Sequence, residues 1–251
     1  MSRDAAFCNL VQNLDFRHMQ RALLLLFTLS FFFLSHAQED EISFSEALAI
    51  HLPKYNKHAD KAYRDKNIAR ADELFDSLVN YGLKGAVLDN FKVTNLKKKK
   101  VYLNEFKKPV YLTTYASWII PTEGEVPALN KLAEKYGEQV DFVILFWDNY
   151  ETTKKLAKKY HSNIRILYVD ELQNNSPYVV KMMKHSLGLP TSFLLNSNKK
   201  ILDIRRKPSH PYGIEFEKSF ALNYDSLSSA ISLLLVNNSS RYLTAEKNVS
   251  P

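Results

Sequence analysis

The chain has 251 residues, of which 24% are charged and 45% apolar, with six glycines and a single cysteine. Those fractions exclude a wholly disordered or collagen-like chain and leave room for one globular domain with extensions. One cysteine, Cys8, excludes an intramolecular disulfide and any cysteine-built metal site, and the net charge of +7 raises the question of an anionic partner.

Met19-Gln20-Arg21 precedes an apolar run from Ala22 to Leu34, and Ser35-His36-Ala37 follows. A basic start, a short apolar core and a small-x-small end are the parts of a secretory signal, and a run of 13 residues is short of a spanning helix. The reading is cleavage after Ala37, with Met19 the working initiator and residues 1–18 an upstream extension. The alternative is an uncleaved membrane anchor. Cleavage removes Cys8 and lowers the net charge by one, because residues 1–37 hold three basic and two acidic residues.

Residues 38–85 read as a helical extension. Ser43 or Ser45 suits the first cap, and Pro53 is expected to end or kink the first helix. Ile68, Ala71, Leu74, Phe75 and Leu78 fall on one face of a second helix, which Gly82 is placed to close. Asn90–Val93 and Val101–Phe106 then read as two strands around a lysine-rich turn. Lys97 to Lys100, Lys107-Lys108, Lys154-Lys155 and Lys158-Lys159 are scattered, and a solvated surface is their expected role.

Val110–Ala116 is rich in β-branched and aromatic residues and carries no charge, which predicts a buried central strand. Pro121 is expected in the first turn of the helix that follows, where its missing N–H is harmless, with Glu123 and Glu125 at the positive helix end. Val140–Trp147 and Ile164–Val169 read as strands, Thr152–Tyr160 and Tyr178–His185 as helices. Gly188 to Leu195 and Lys199 to Ile204 complete the strands, Asp225–Leu235 is the closing helix, and residues 241–251 are a polar tail.

Ala116-Ser117-Trp118, a four-residue box and Glu125-Val126-Pro127 together resemble the active-site segment of exported thioredoxin-like disulfide reductases of the TlpA type. Gly188-Leu189-Pro190-Thr191 resembles the cis-proline strand of the same family. The resemblance implies an α/β, thioredoxin-like fold over residues 86–240, a central mixed sheet flanked by helices. In that family the box is Cys-x-Pro-Cys; here it is Ile119-Ile120-Pro121-Thr122. Disulfide exchange needs a thiolate, which neither Ile119 nor Thr122 supplies. Thr113 stands where thioredoxins bury a carboxylate.

No catalytic residue is therefore assigned. The resemblance implies a groove between Trp118, Ile119, Ile120, Pro121 and Thr122 on one side and Leu189, Pro190 and Thr191 on the other. With two isoleucines in the box, an apolar peptide suits it. The expected role is a redox-inactive module in the periplasm that binds a protein or peptide of the cell envelope. The alternative is an enzyme that uses a partner's thiol or does other chemistry in the same groove. Histidines such as His51, His58, His161, His185 and His210 lack ligand spacing, so no metal is expected. No phosphate-binding or dinucleotide glycine motif occurs, so no cofactor is expected, and an exported chain has no nucleic-acid partner. A membrane enters only if the signal stays uncleaved, and the sequence sets no oligomeric state.

Overall fold

The computed structural model describes residues 41–173, 177–207 and 213–247. The signal segment with Cys8 and the Ala37 cleavage site, His210 and the end of the polar tail lie outside the described residues.

Ser43 caps helix α1, Phe44–Arg64, in a reciprocal arrangement: its hydroxyl accepts from the Glu46 N–H while the Glu46 carboxylate accepts from the Ser43 N–H. Pro53 does not end this helix. Pro53 and Ala49 both lie on the exposed face, so the carbonyl that proline leaves unbonded meets water. Helix α2, Ile68–Leu78, buries Ala71, Phe75 and Leu78 but leaves Ile68 in solvent. Gly82 does not close it. The chain runs on through one π-helical turn, Val79–Leu83, because Gly82 must pass under His51, where a Cβ would come within 2.8 Å of the ring. The reversal falls instead on Gly85, at φ +89°.

Strands β1 (Lys92–Asn95) and β2 (Lys100–Tyr102) form the lysine-rich hairpin. From there the chain runs β3 (Val110–Tyr115), α3 (Glu125–Tyr136), β4 (Asp141–Phe146), α4 (Tyr150–Ala157) and β5 (Ile164–Tyr168). It finishes with α5 (Tyr178–Leu187), β6 (Thr191–Leu195), β7 (Ile201–Arg206) and α6 (Phe216–Lys247). The seven strands lie in the order β2-β1-β5-β4-β3-β6-β7. Strands β3, β4 and β5 run parallel, joined by crossover helices; β6 lies antiparallel to β3, and β7 to β6. This is the thioredoxin-like mixed sheet with its N-terminal helical extension. Strand β3 is buried along its whole length, as its uncharged run requires.

Helix α6 is far longer than the expected Asp225–Leu235. Phe216, Phe220 and Tyr224 stack at helical spacing along its first turns, while Ser219 and Asn223 are buried against the turn before α3. Polar residues on a core-facing stripe hid that part of the helix from its apolar pattern.

The helical pair α1–α2 shares one apolar core with the sheet, where Phe44 meets Phe193 edge-on. Arg206, at the end of β7, ties the two together. Its guanidinium donates to the Tyr55 hydroxyl and the Leu187 carbonyl and lies 3.9 Å from the centre of the Phe75 ring. Arg206→Ala is expected to lower stability by about 2–4 kcal/mol, since charged hydrogen bonds and a cation–π contact go together. Arg206→Lys should recover less than half, because an ammonium cannot form the planar fork. Urea unfolding of both variants checks this; a loss below about 0.5 kcal/mol, the range of surface substitutions, would reject it.

Candidate functional site

Strand β3 delivers the box at its C-terminal end, beside the loop that leads into β6. The Leu189–Pro190 peptide bond is cis. The Thr191 hydroxyl donates to the Gly188 carbonyl, and the Thr114 hydroxyl donates to the Thr191 carbonyl. Thr191 is 1% exposed, so it fixes this loop and cannot itself meet a ligand. Leu189 packs on the core, and Pro190 is half-buried.

The box does not begin a helix. The Ile119 N–H donates to the Ala116 carbonyl, which closes a turn before the box. Helix α3 starts only at Glu125, with Gly124 as its cap, and Pro127 rather than Pro121 sits in its first turn. The reason lies in local bonding. The Glu125 carboxylate accepts the Thr122 N–H while the Glu125 N–H donates to the Thr122 carbonyl, holding Thr122 outside the helix. Position 119 is thus five residues short of the cap of α3, beyond the reach of its dipole. A cysteine placed there would not gain the thiolate stabilisation that an early helix start implies.

The box side chains divide by exposure. Trp118 is 68% and Ile120 86% exposed. Ile119 turns inward and packs on the clusters of both sheet faces. Thr122 turns toward α6, where its hydroxyl accepts from the Asn223 amide at 3.0 Å. Both positions that carry cysteine in the TlpA-type box are therefore engaged by the fold. Ser117, ahead of the box, is tied by backbone and hydroxyl to Asp148.

Pro190 also lines a small cavity of about 60 Å³ with mixed polar and apolar walls. Thr113, Glu125, Ser192, Arg205, Lys207 and Asn223 are among its lining residues. Glu125 and Lys207 form an ion pair there, each about one-fifth exposed. The Ser192 hydroxyl donates to Thr113 and bonds the Tyr111 hydroxyl. Thr113 thus belongs to a neutral hydroxyl chain and brings no charge. Burial pushes the Tyr111 phenol up to about 12. Burial, and then the Glu125 charge, raise Tyr115 and Tyr160 as well. Among the described residues no group meets the Tyr115 hydroxyl in good hydrogen-bond geometry, and the Glu125 carboxylate is the acceptor near enough to hold the phenol protonated. Among the described residues no three His, Cys, Asp or Glu side chains cluster as metal ligands.

The sequence marks Glu125 as a favourable charge at a helix end and as part of the segment that resembles the TlpA-type motif, not as half of an ion pair. Lys207, Ser219 and Asn223 carry no such signal, because their partners Glu125, Gly124 and Thr122 lie eighty or more residues away along the chain.

Residues 85–204 match the AhpC/TSA family, which leaves the helical pair α1–α2 outside the match. Thiol-disulfide oxidoreductase ResA of Bacillus cereus is 32% identical over 123 residues, 47% of this chain and 67% of that protein. ResA of Bacillus thuringiensis subsp. konkukian is 32% identical over 121 residues, 47% of this chain and 66% of that protein. A conserved protein of Geobacillus kaustophilus is similar in structure, at 22% identity and a TM-score of 0.49, over 64% of this chain and 86% of that one. The chain spans about two thirds of the length of the curated relatives it matches. It belongs to the AhpC/TSA family, thioredoxin-like in fold, with thiol-disulfide oxidoreductases of the ResA and TlpA type as its homologues.

Proposed function

We propose that this protein is a redox-inactive member of its family that binds an apolar peptide segment of a cell-envelope protein at the box. The observation that carries the reading is the division at residues 118–122. The two former cysteine positions are engaged by the fold, while Trp118 and Ile120 present large apolar side chains to water. An exposed aromatic beside an exposed aliphatic is the composition of a binding hot spot. The loop of Leu189 and Pro190, both half-buried, is the other wall of the groove in this reading. Export with cleavage after Ala37 is part of the same reading. It is supported by the basic start and short apolar core of residues 19–37, and N-terminal sequencing of the envelope fraction should begin at Gln38.

Two measurements test the function. Full-length Cys8→Ser protein should catalyse no reduction of insulin by dithiothreitol above background, since disulfide exchange needs a thiolate. Reduction above background would overturn redox inactivity. Peptides selected from a random display library on the same protein should be apolar. They should bind the Trp118→Ala/Ile120→Ala variant at least about tenfold more weakly, a loss of about 1.4 kcal/mol. Both side chains are exposed, so the thermal midpoint should stay unchanged. Undiminished binding to the variant would remove the box from the site.

A further inference from the structure

The lysines that are scattered in sequence meet in space. Lys97, Lys99 and Lys100 of the hairpin, Lys107 and Lys108 before β3, and Arg165 on β5 line one open groove of about 640 Å³. Two acidic residues, Glu105 and Asp141, also line it, so the groove carries a clear positive excess. Three of the lysines are tied to neutral acceptors: Lys100 to the Thr94 hydroxyl, Lys107 to the Asn104 carbonyl and Lys108 to the Gly137 carbonyl. None of the six cations makes an ion pair among the described residues. The groove lies where β4 and β5 begin and ahead of β3, at the opposite end of the parallel strands from the box.

Its wall is an unfinished sheet edge. Strand β5 pairs with β4 from Ile164 to Tyr168, but with β1 only at Leu167 and Tyr168. Beyond that point β1 turns away into the hairpin loop. The Val169 N–H donates to Phe146 of β4, so by alternation the Ile166 N–H and C=O point away from β4, into the groove. No strand pairs with β5 there among the described residues. The half-buried Val101 and Ile166 also line the groove, each packed on the core of a different sheet face.

We propose that this groove takes an extended acidic peptide, which adds a strand to the free edge of β5. Main-chain bonds to Ile166 would fix its register, and carboxylates on alternate residues would meet the lysines on the rim. Lysines on an edge strand commonly block such pairing. Here the five lysines stand on the flanking segments, and only Arg165 is on the strand itself, so they frame the edge and leave it open.

The probe is a short fluorescein-labelled peptide that alternates glutamate with valine, titrated into the full chain. Binding should weaken steeply with salt. A central proline in the peptide, which removes a ladder donor, should weaken it at least about tenfold. Lys97→Glu/Lys99→Glu should do the same while leaving the thermal midpoint in place, because both side chains are exposed. Amide hydrogen exchange at Ile166 should slow with peptide bound, and exchange near Trp118 should not change. Absence of binding at low salt overturns the proposal. So does binding that is insensitive to proline and leaves Ile166 exchange unchanged, which would mark a purely electrostatic patch. Uptake of the protein by anionic vesicles with no peptide binding also overturns it, in favour of a membrane surface.

Discussion

Gly124→Ala should be among the most damaging single substitutions in this protein, although its backbone gives no warning. The φ of Gly124 is −82°, which any residue adopts, and replacing a helix-terminal glycine by alanine ordinarily stabilises by up to about 1 kcal/mol. The obstacle is α6. A Cβ on residue 124 would stand 2.1 Å from the Phe220 nitrogen and 2.5 Å from the Ser219 carbonyl carbon. Both atoms are backbone, so no side-chain rotation relieves the overlap and the helix itself must move. Overpacking costs about 1–3 kcal/mol. Displacing α6 also breaks the bond from the Gly124 N–H to the buried Ser219 hydroxyl, worth about a further 1–2 kcal/mol. The expected loss is about 4 kcal/mol, or a fall of roughly 10 °C in thermal midpoint for a chain of this size. Ser219→Ala isolates the hydrogen bond and should cost only about 1–2 kcal/mol. Thermal and urea unfolding of the two variants decide the matter. If Gly124→Ala is no worse than Ser219→Ala, the close approach of α3 and α6 is not what the glycine serves. Because the same contact positions Asn223 on Thr122, Gly124→Ala should also weaken peptide binding at the box.

The parts of this molecule that were legible in the sequence are those whose physics is local. Val110–Tyr115 is uncharged and β-branched, and it is the central strand; the residues between the strands carry helical spacing, and they are the crossovers. Gly188-Leu189-Pro190-Thr191 leads into β6 where its resemblance placed it. What sequence could not supply is long-range. Gly124 looks like a turn residue until the helix ninety-five positions later lies on it. Ser219 and Asn223 look like solvent-facing polar residues until the box turn gives them buried partners. Lysines separated along the chain become one groove only because β1 leaves β5 after two residue pairs. Glu125 illustrates both sides. Its place near a helix start was readable, but its ion pair with Lys207 depends on how β7 ends.

Alkaline unfolding should be the clearest signature of the tyrosines around Glu125. Tyr111, Tyr115 and Tyr160 all have phenols raised above the ordinary value near 10, first by burial, with the charge of Glu125 adding to each. The Ser192 hydrogen bond partly offsets this at Tyr111. For a raised group, the stability contribution is whole below the unfolded pKa and is lost as pH climbs toward the folded one. The window for Tyr111 therefore runs from about 10 to about 12, and completing that titration costs on the order of 3 kcal/mol. Lys199 acts in the opposite sense. Burial lowers its pKa, so the folded state gains as pH rises toward the lysine's ordinary value of 10.5. Three phenols outweigh one ammonium, and stability should fall steeply above about pH 10. Tyr115→Phe separates the contributions. Among the described residues the buried Tyr115 hydroxyl has no partner in good hydrogen-bond geometry, Glu125 being only nearby, and removing an unsatisfied hydroxyl should gain about 1 kcal/mol at neutral pH. The same change deletes one titrating group, so the alkaline loss should be shallower. Urea unfolding at a series of pH values, with tyrosinate absorbance followed alongside, reads both effects. If Tyr115→Phe destabilises the neutral protein by more than about 1 kcal/mol, the hydroxyl has a partner. The carboxylate of Glu125 would then be shared between Tyr115 and Lys207 rather than held by Lys207.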